Sequence, residues 1–340
     1  MKKISISILV LALGSPMLSR AEEMASQYKP NVERKVCEST RRAADFLVMA
    51  QIPSKDGGVG WNWVLGDGST PDNVAGLIAL SLLDAYAATG EEKYLATARR
   101  YADGLVERVA RFSSERLPFK ADVELLARLG GMPQGERYAR AARALFEVLR
   151  SRSTDGMAEV QRIRLGRASE PALLGFDVAL AIRAAQAVGE RAYAYQLADS
   201  VLAEKQGWYR SKESARFSQV SAGALSLALE RLDGGHYRKA IDRLRADLLA
   251  AQQPNGAFSE NETQPSAYAT LSLLAGLTER ERRAGLAGLR WLKSTMLRAG
   301  GFAHYNDYMP EPFVGQVVSE VNAEVLFALS LACATGQEVD

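Results

Sequence analysis

The chain has 340 residues, 47% of them hydrophobic, with 42 Lys and Arg against 40 Asp and Glu and only two Cys and two His. That much apolar material can bury a large core, and the near-neutral balance leaves no global field to attract nucleic acid. Two Cys and two His far apart in the chain are poor material for a zinc site, so neither metal nor cofactor is expected. Met1-Lys2-Lys3, the apolar run from Ile4 to Leu18 and then Ser19-Arg20-Ala21 have the make-up of a secretory signal cut after Ala21. The run is too short, and too soon followed by charge, for a stable membrane span. The reading is a signal at 1–21 and one domain at 22–340, exported to the periplasm or the exterior. Without Lys2, Lys3 and Arg20 the balance becomes 39 basic against 40 acidic residues.

From residue 90 onward the chain repeats itself. Gly90-Glu91-Glu92-Lys93-Tyr94, Gly135-Glu136-Arg137-Tyr138, Gly189-Glu190-Arg191-Ala192-Tyr193, Gly235-His236-Tyr237 and Thr278-Glu279-Arg280-Glu281 each open a charged helix after a tight turn. They recur at roughly 45 to 55 residues, the length of two helices with their loops. Between them lie Ala79-Leu80-Ser81-Leu82, Ala224-Leu225-Ser226-Leu227, Thr270-Leu271-Ser272-Leu273 and Ala328-Leu329-Ser330-Leu331, rich in small residues and without charge. Helices packed on several sides must look like that.

The pattern predicts twelve helices, near 32–51, 72–88, 91–112, 119–130, 134–152, 171–187, 189–205, 217–231, 235–252, 265–277, 279–296 and 317–335. No strand is expected. Short turns join one hairpin to the next, and longer loops inside each hairpin gather on one face. An all-α, α/α toroid of about six hairpins fits, and an open solenoid obeys the same local rules. Closure is favoured because both terminal helices lack polar caps. In a closed ring Cys37 and Cys333 lie on neighbouring helices and are either a disulfide, worth up to about 5 kcal/mol, or two buried thiols.

Gln51 with Gly60-Trp61, Gln252-Gln253-Pro254-Asn255-Gly256-Ala257-Phe258 and Gly300-Gly301-Phe302 resemble the Gln and Gly-x-aromatic repeats of the terpenoid cyclase and protein prenyltransferase toroids. The resemblance implies the toroid fold over nearly the whole mature chain. The Asp-x-Asp-Asp run of such cyclases and the Asp, Cys and His zinc ligands of the prenyltransferases do not occur here. The same architecture is widespread among secreted polysaccharide lyases and glycoside hydrolases, and export favours them.

Any site is expected among the long loops above the inner-helix starts. Trp61, Trp63, Trp208, Tyr209, Phe258, Phe302, Tyr305, Tyr308 and Phe313 lie there, either stacking on sugar rings or plugging neighbouring hairpins. Plugging is the preferred reading for Phe258 and Phe302, stacking for Trp63, Trp208, Tyr209 and Tyr305. Aligned inner helices put Asn73, Ser218, Gln264 and Asn322 at one position near the helix start, as caps or substrate contacts. Asp72, Glu320 and Glu324 add carboxylates where the first and last hairpins meet. His304 and Tyr305, in the loop 301–308, are the candidate acid–base groups for elimination at a uronate. Lys55, Arg167, Arg210, Lys212 and Arg216 suit an anionic substrate. Hydrolysis would instead need two carboxyls from Asp67, Asp72, Asp177, Glu260, Glu311 and Glu320. His236 reads as structural.

These residues predict a carbohydrate-active enzyme, a polysaccharide lyase or glycoside hydrolase on an acidic glycan. The catalytic candidates are His304, Tyr305, Asp72 and Glu320; the substrate-binding candidates are Trp61, Trp63, Asn73, Trp208, Tyr209, Arg210 and Asn322. A non-catalytic toroid that binds a glycan, lipid or protein is the alternative, and an isoprenoid cyclase lacking its acid motif is a third.

Overall fold

The structure is a computed structural model that describes residues 37–204, 215–304 and 315–337. Those residues form thirteen α-helices, paired in chain order as an outer and an inner member. The pairs begin with α1 (Glu38–Met49) and α2 (Ala75–Thr89), then α3 (Glu92–Glu107) and α4 (Lys120–Gly130). Next come α5 (Glu136–Arg150) and α7 (Leu174–Ala187), with α6 (Gly156–Gly166) between them. The rest are α8 (Arg191–Ala203) with α9 (Ala215–Asp233), α10 (Arg238–Ala251) with α11 (Thr263–Leu274), and α12 (Glu279–Ser294) with α13 (Ser319–Thr335).

The inner helices form a closed ring. α2 packs on α4, α4 on α7, α7 on α9, α9 on α11, α11 on α13, and α13 returns to α2. Among the described residues this is the α/α toroid of six hairpins. Two expectations need correction. α6 is an additional helix, packed on α7 and α8. A small antiparallel hairpin also stands between α1 and α2, where β1 (Gln51–Pro53) pairs with β2 (Val59–Trp61) in the register Ile52 to Gly60.

Both repeat families have a physical reason. The tyrosine that opens an outer helix clasps the outer helix before it: the Tyr94 hydroxyl donates to Asp45 at 3.0 Å, Tyr138 to Asp103 at 2.5 Å and Tyr237 to Asp199 at 2.9 Å. Thr278 and Glu281 form a reciprocal capping box at the start of α12. The small residues of the inner helices permit close approach. Ser226 and Ser272 bond each other at 2.6 Å between α9 and α11, and a Cβ on Gly223 would sit 2.6 Å from the Tyr268 carbonyl oxygen.

The Gln and Gly-x-aromatic segments are locks between hairpins. Gln51 Nε2 donates to the Thr97 carbonyl, and Gln252 Nε2 donates to those of Gly256 and Ala284. Trp61, Phe258 and Phe302 are completely buried. Cys37, at the start of α1, and Cys333, in the last turn of α13, form a disulfide with Cα atoms 5.2 Å apart. At the other end of this seam Val64 bridges Val318, and Ser319 N donates to the Trp63 carbonyl.

Candidate functional site

All six inner helices start on the long-loop side, so their N-termini converge on one face and their C-termini on the other. Their positive dipole ends give the long-loop face an attraction for negative charge.

Inside the ring on this face, α13 presents Glu320 in its first turn and Glu324 one turn deeper. Glu324 is only 1% exposed. One of its oxygens accepts from Gln264 Nε2 of α11 at 3.0 Å, and its carboxyl faces the Tyr268 hydroxyl. Burial, and then the charge of Glu320, raise the Glu324 carboxyl well above the usual carboxylate range, against the hydrogen bonds from Gln264 and Tyr268. Glu320 is partly exposed. Burial pushes it up to about 7, opposed by Arg167 and reinforced by Asp177. Arg167, at the end of α6, donates through Nε to Asp177 of α7 at 2.6 Å and through Nη1 to Glu170 at 2.9 Å. The ring therefore holds two carboxyls whose proton affinity burial raises, near an ion-paired aspartate and its arginine.

A second layer of charge lies toward the short-turn face. Arg183 of α7 grips Glu124 of α4 with contacts of 2.8 and 2.9 Å, and Arg231 of α9 stands 3.7 Å from the same carboxylate. Arg128 pairs with Asp84 at 2.5 Å. The Arg183 guanidinium also lies 5.9 Å from the Phe327 ring of α13, a helix diametrically opposite in the ring. These contacts bridge the ring interior and close it at that level.

A third carboxyl, Asp122 of α4, accepts from the Tyr101 hydroxyl at 2.9 Å. Burial pushes it up to about 7, against that bond and Arg108. It lies among α2, α3 and α4, close enough to Gly76 that a Cβ there would meet its oxygen.

The loop before α11 carries three successive residues with left-handed backbone, Ser259, Glu260 and Asn261, at φ 42°, 56° and 70°. For residues other than glycine this region costs about 1–2 kcal/mol each. The turn is tied down by Ser259 to Gln219 and by Asn255 to Asn261, both at 2.7 Å, while Glu260 itself is exposed.

The structure distributes the sequence candidates unevenly. Glu320 and Asp177 come near enough for their charges to interact, with Arg167 ion-paired to Asp177. Asp72 does not join them: it pairs with Arg116 at 2.8 Å and faces Arg108 at 3.8 Å. Asn73 is exposed and makes no capping bond to α2. Asn322 is spent on the chain itself, accepting from Phe302 N at 2.7 Å and donating to the carbonyls of Phe302 and Val318. The residue doing the same work on α11 is Ser266, which caps Phe258 N at 3.0 Å, so aligning Gln264 with Asn322 is off by two positions. Trp61 is inside the wall, its indole N–H donating to the Leu47 carbonyl at 2.7 Å and its ring edge-on to Tyr101. Trp63 is partly exposed beside Val64 and Val318. His304 is 1% exposed in a paired segment, its N–H donating to the Gln316 carbonyl and its carbonyl accepting from Gly315 N. Asp67 organises its own turn through Ser69 and Val64 N, Lys55 is exposed, and His236 packs edge-on against Tyr195 and Tyr237. Trp208, Tyr209, Arg210, Lys212, Tyr305, Tyr308, Glu311, Phe313 and the Arg216 side chain lie outside the described residues, as does the expected signal. Sequence reasoning missed Tyr268, whose only signal was its place one turn after Gln264. No group of His, Cys, Asp and Glu able to hold a metal occurs among the described residues.

No family model matches the chain, and no curated protein matches it. Solved structures do. The type II terpene cyclase MstE from Scytonema aligns with a TM-score of 0.58 at 14% identity, over 91% of this chain and 100% of that one. A possible GH105 family member from Klebsiella pneumoniae aligns with a TM-score of 0.61 at 11% identity, over 97% and 99%. A polysaccharide lyase aligns with a TM-score of 0.56 at 15% identity, over 89% and 99%. At such identities the likeness is one of architecture: the chain has the α/α-toroid fold that terpene cyclases, GH105 family members and polysaccharide lyases share.

Proposed function

We propose that the chain is a carbohydrate-active enzyme that hydrolyses a glycosidic bond in an acidic saccharide after export, with its signal at 1–21. The observation that carries this reading is the placement of Glu320 and Glu324 on successive turns of α13 near the Asp177–Arg167 ion pair, with burial raising both carboxyls. A carboxyl with its proton at pH 7 can give it to a leaving glycosidic oxygen, and a nearby carboxylate can take one from the attacking water. Glu320, the accessible member, is the proton donor, and Asp177 is the base. Glu324, buried behind it with Gln264 and Tyr268, is a positioning residue. Arg167 and the converging helix N-termini favour a negatively charged substrate. Trp63 supplies a stacking face for a sugar ring. Elimination by His304 has less support, because that residue is buried. Charged groups in the ring interior also speak against an isoprenoid substrate, which needs an apolar cavity.

The test is a panel of acidic and neutral polysaccharides and their oligomers offered to the protein from Glu22 onward, following reducing ends and ultraviolet absorbance together. New reducing ends without absorbance support hydrolysis. An absorbing product would turn the reading to a lyase. Thermal stabilisation by a saccharide with no product would leave a binding protein instead.

A further inference from the structure

We infer that Glu260 is a substrate-binding residue, held at the long-loop face by a strained left-handed turn so that its carboxylate accepts hydrogen bonds from the hydroxyls of an uncharged sugar unit. The inference rests on the saccharide reading above and adds a contact to it.

The chain adopts positive φ at fourteen described positions, and ten of them are glycine. Its habit is therefore to place glycine where the backbone turns left. Apart from Gln134, the exceptions are the three consecutive residues Ser259, Glu260 and Asn261. Such runs are rare because each Cβ crowds the following carbonyl, and they persist where surrounding contacts impose them and a side chain is needed. Two of the three side chains have visible work. Ser259 reaches Gln219 of α9, and Asn261, a residue type that tolerates this conformation, bonds Asn255. Glu260 is exposed and makes no hydrogen bond or ion pair among the described residues. Nothing among the described residues accounts for keeping a glutamate where glycine would be easier.

Its place supplies the use. The turn bridges the start of α9 to the start of α11, four residues before Gln264, which holds Glu324. An ionised carboxylate is acceptor-only, so it pairs with hydroxyl donors and repels a uronate carboxylate. The charged group of the substrate is thereby directed away from Glu260 and toward Arg167.

The experiment compares wild type with Glu260→Gly and Glu260→Gln, measuring Tm, and the Kd for oligogalacturonates and for neutral xylo-oligosaccharides by calorimetry. Glycine should raise Tm by a few degrees, because it releases the turn, and should weaken xylo-oligosaccharide binding by about tenfold or more. Glutamine keeps the strain and removes the charge, so it should weaken xylo-oligosaccharide binding with Tm unchanged, while oligogalacturonate binding, relieved of repulsion, should hold or tighten. A Glu260→Gly protein with raised Tm and unaltered Kd would overturn the inference, as would an unraised Tm. Wild type that binds but does not turn over, with xylo-oligosaccharide binding lost in both variants, would sustain the inference while removing hydrolysis. Absence of binding to either series would remove both.

Discussion

Glu124 and Glu324 are the same residue type, on inner helices of one ring, and both are nearly inaccessible at 4% and 1% exposure. Burial penalises the charge of both, yet the two carboxyls are shifted in opposite directions. Arg183 and Arg231 hold Glu124 below the usual carboxylate range in spite of burial. Among the described residues Glu324 meets Gln264, Tyr268 and the like charge of Glu320, and is driven the other way. Partners, rather than depth, decide the state of a buried acid. The ring thus has an ion-paired layer toward its short turns and, toward its long loops, a layer in which burial raises Glu320 and Glu324 beside the Asp177–Arg167 pair.

Four substitutions would break or sharpen this contrast. The largest expected effect is on turnover: Glu320→Gln should lower kcat by roughly 100- to 10,000-fold, with Tm unchanged or slightly raised. A fall in Tm with kcat intact would make the upper layer structural. Glu124→Ala should cost about 3–5 kcal/mol in denaturant unfolding, because it leaves Arg183 buried without its partner. A cost near zero would mean that the lower layer contributes no cohesion. pH comes third. Glu320 and Glu324 hold their protons more tightly in the folded chain, so the stability they lend is full below about 4.5; that of Glu320 declines as pH rises toward about 7, and that of Glu324 declines as pH rises above 4.5. Glu124 has the opposite sign, and its contribution declines as pH falls below 4.5. Glu324→Gln should therefore flatten the loss of Tm as pH rises above 4.5, and an unchanged slope would contradict the assignment. Arg231→Met should have the smallest effect, about 1 kcal/mol or less, because its side chain is half exposed and stands 3.7 Å from Glu124. A larger loss would show that Arg183 alone does not hold that carboxylate.

The scaffold was legible because its packing repeats. The outer-helix starts in which a tyrosine follows glycine by two to four residues encode a clasp made three times among the described residues, and the Ala-Leu-Ser-Leu cores encode close helix approach. α6 escaped because it has no sister: Gly156–Gly166 interrupts a hairpin that otherwise obeys the period. Three-residue strands at Gln51 and Val59 are too short to show an alternation.

The site was less legible, since polar residues near an inner-helix start have two uses that look alike in sequence. Asn322 and Ser266 cap the backbone of Phe302 and Phe258, whereas Gln264 and Glu320 face into the ring. The difference is a rotation about the helix axis of two residues. Asp177, Arg167 and Glu320 come from three elements more than a hundred residues apart in places, and only closure of the ring makes them neighbours. The left-handed turn carries no glycine, the usual sign of such a conformation, and so left no trace.

The Cys37–Cys333 bond has a consequence beyond stability. It turns the chain between those residues into one covalent loop. A single proteolytic cut anywhere inside it yields two pieces that still migrate as one species on a non-reducing gel and separate only with reductant. Tension applied at positions 37 and 333 is likewise carried by the sulfur bridge rather than by the helices, so the ring can be pulled from its ends without being unwound.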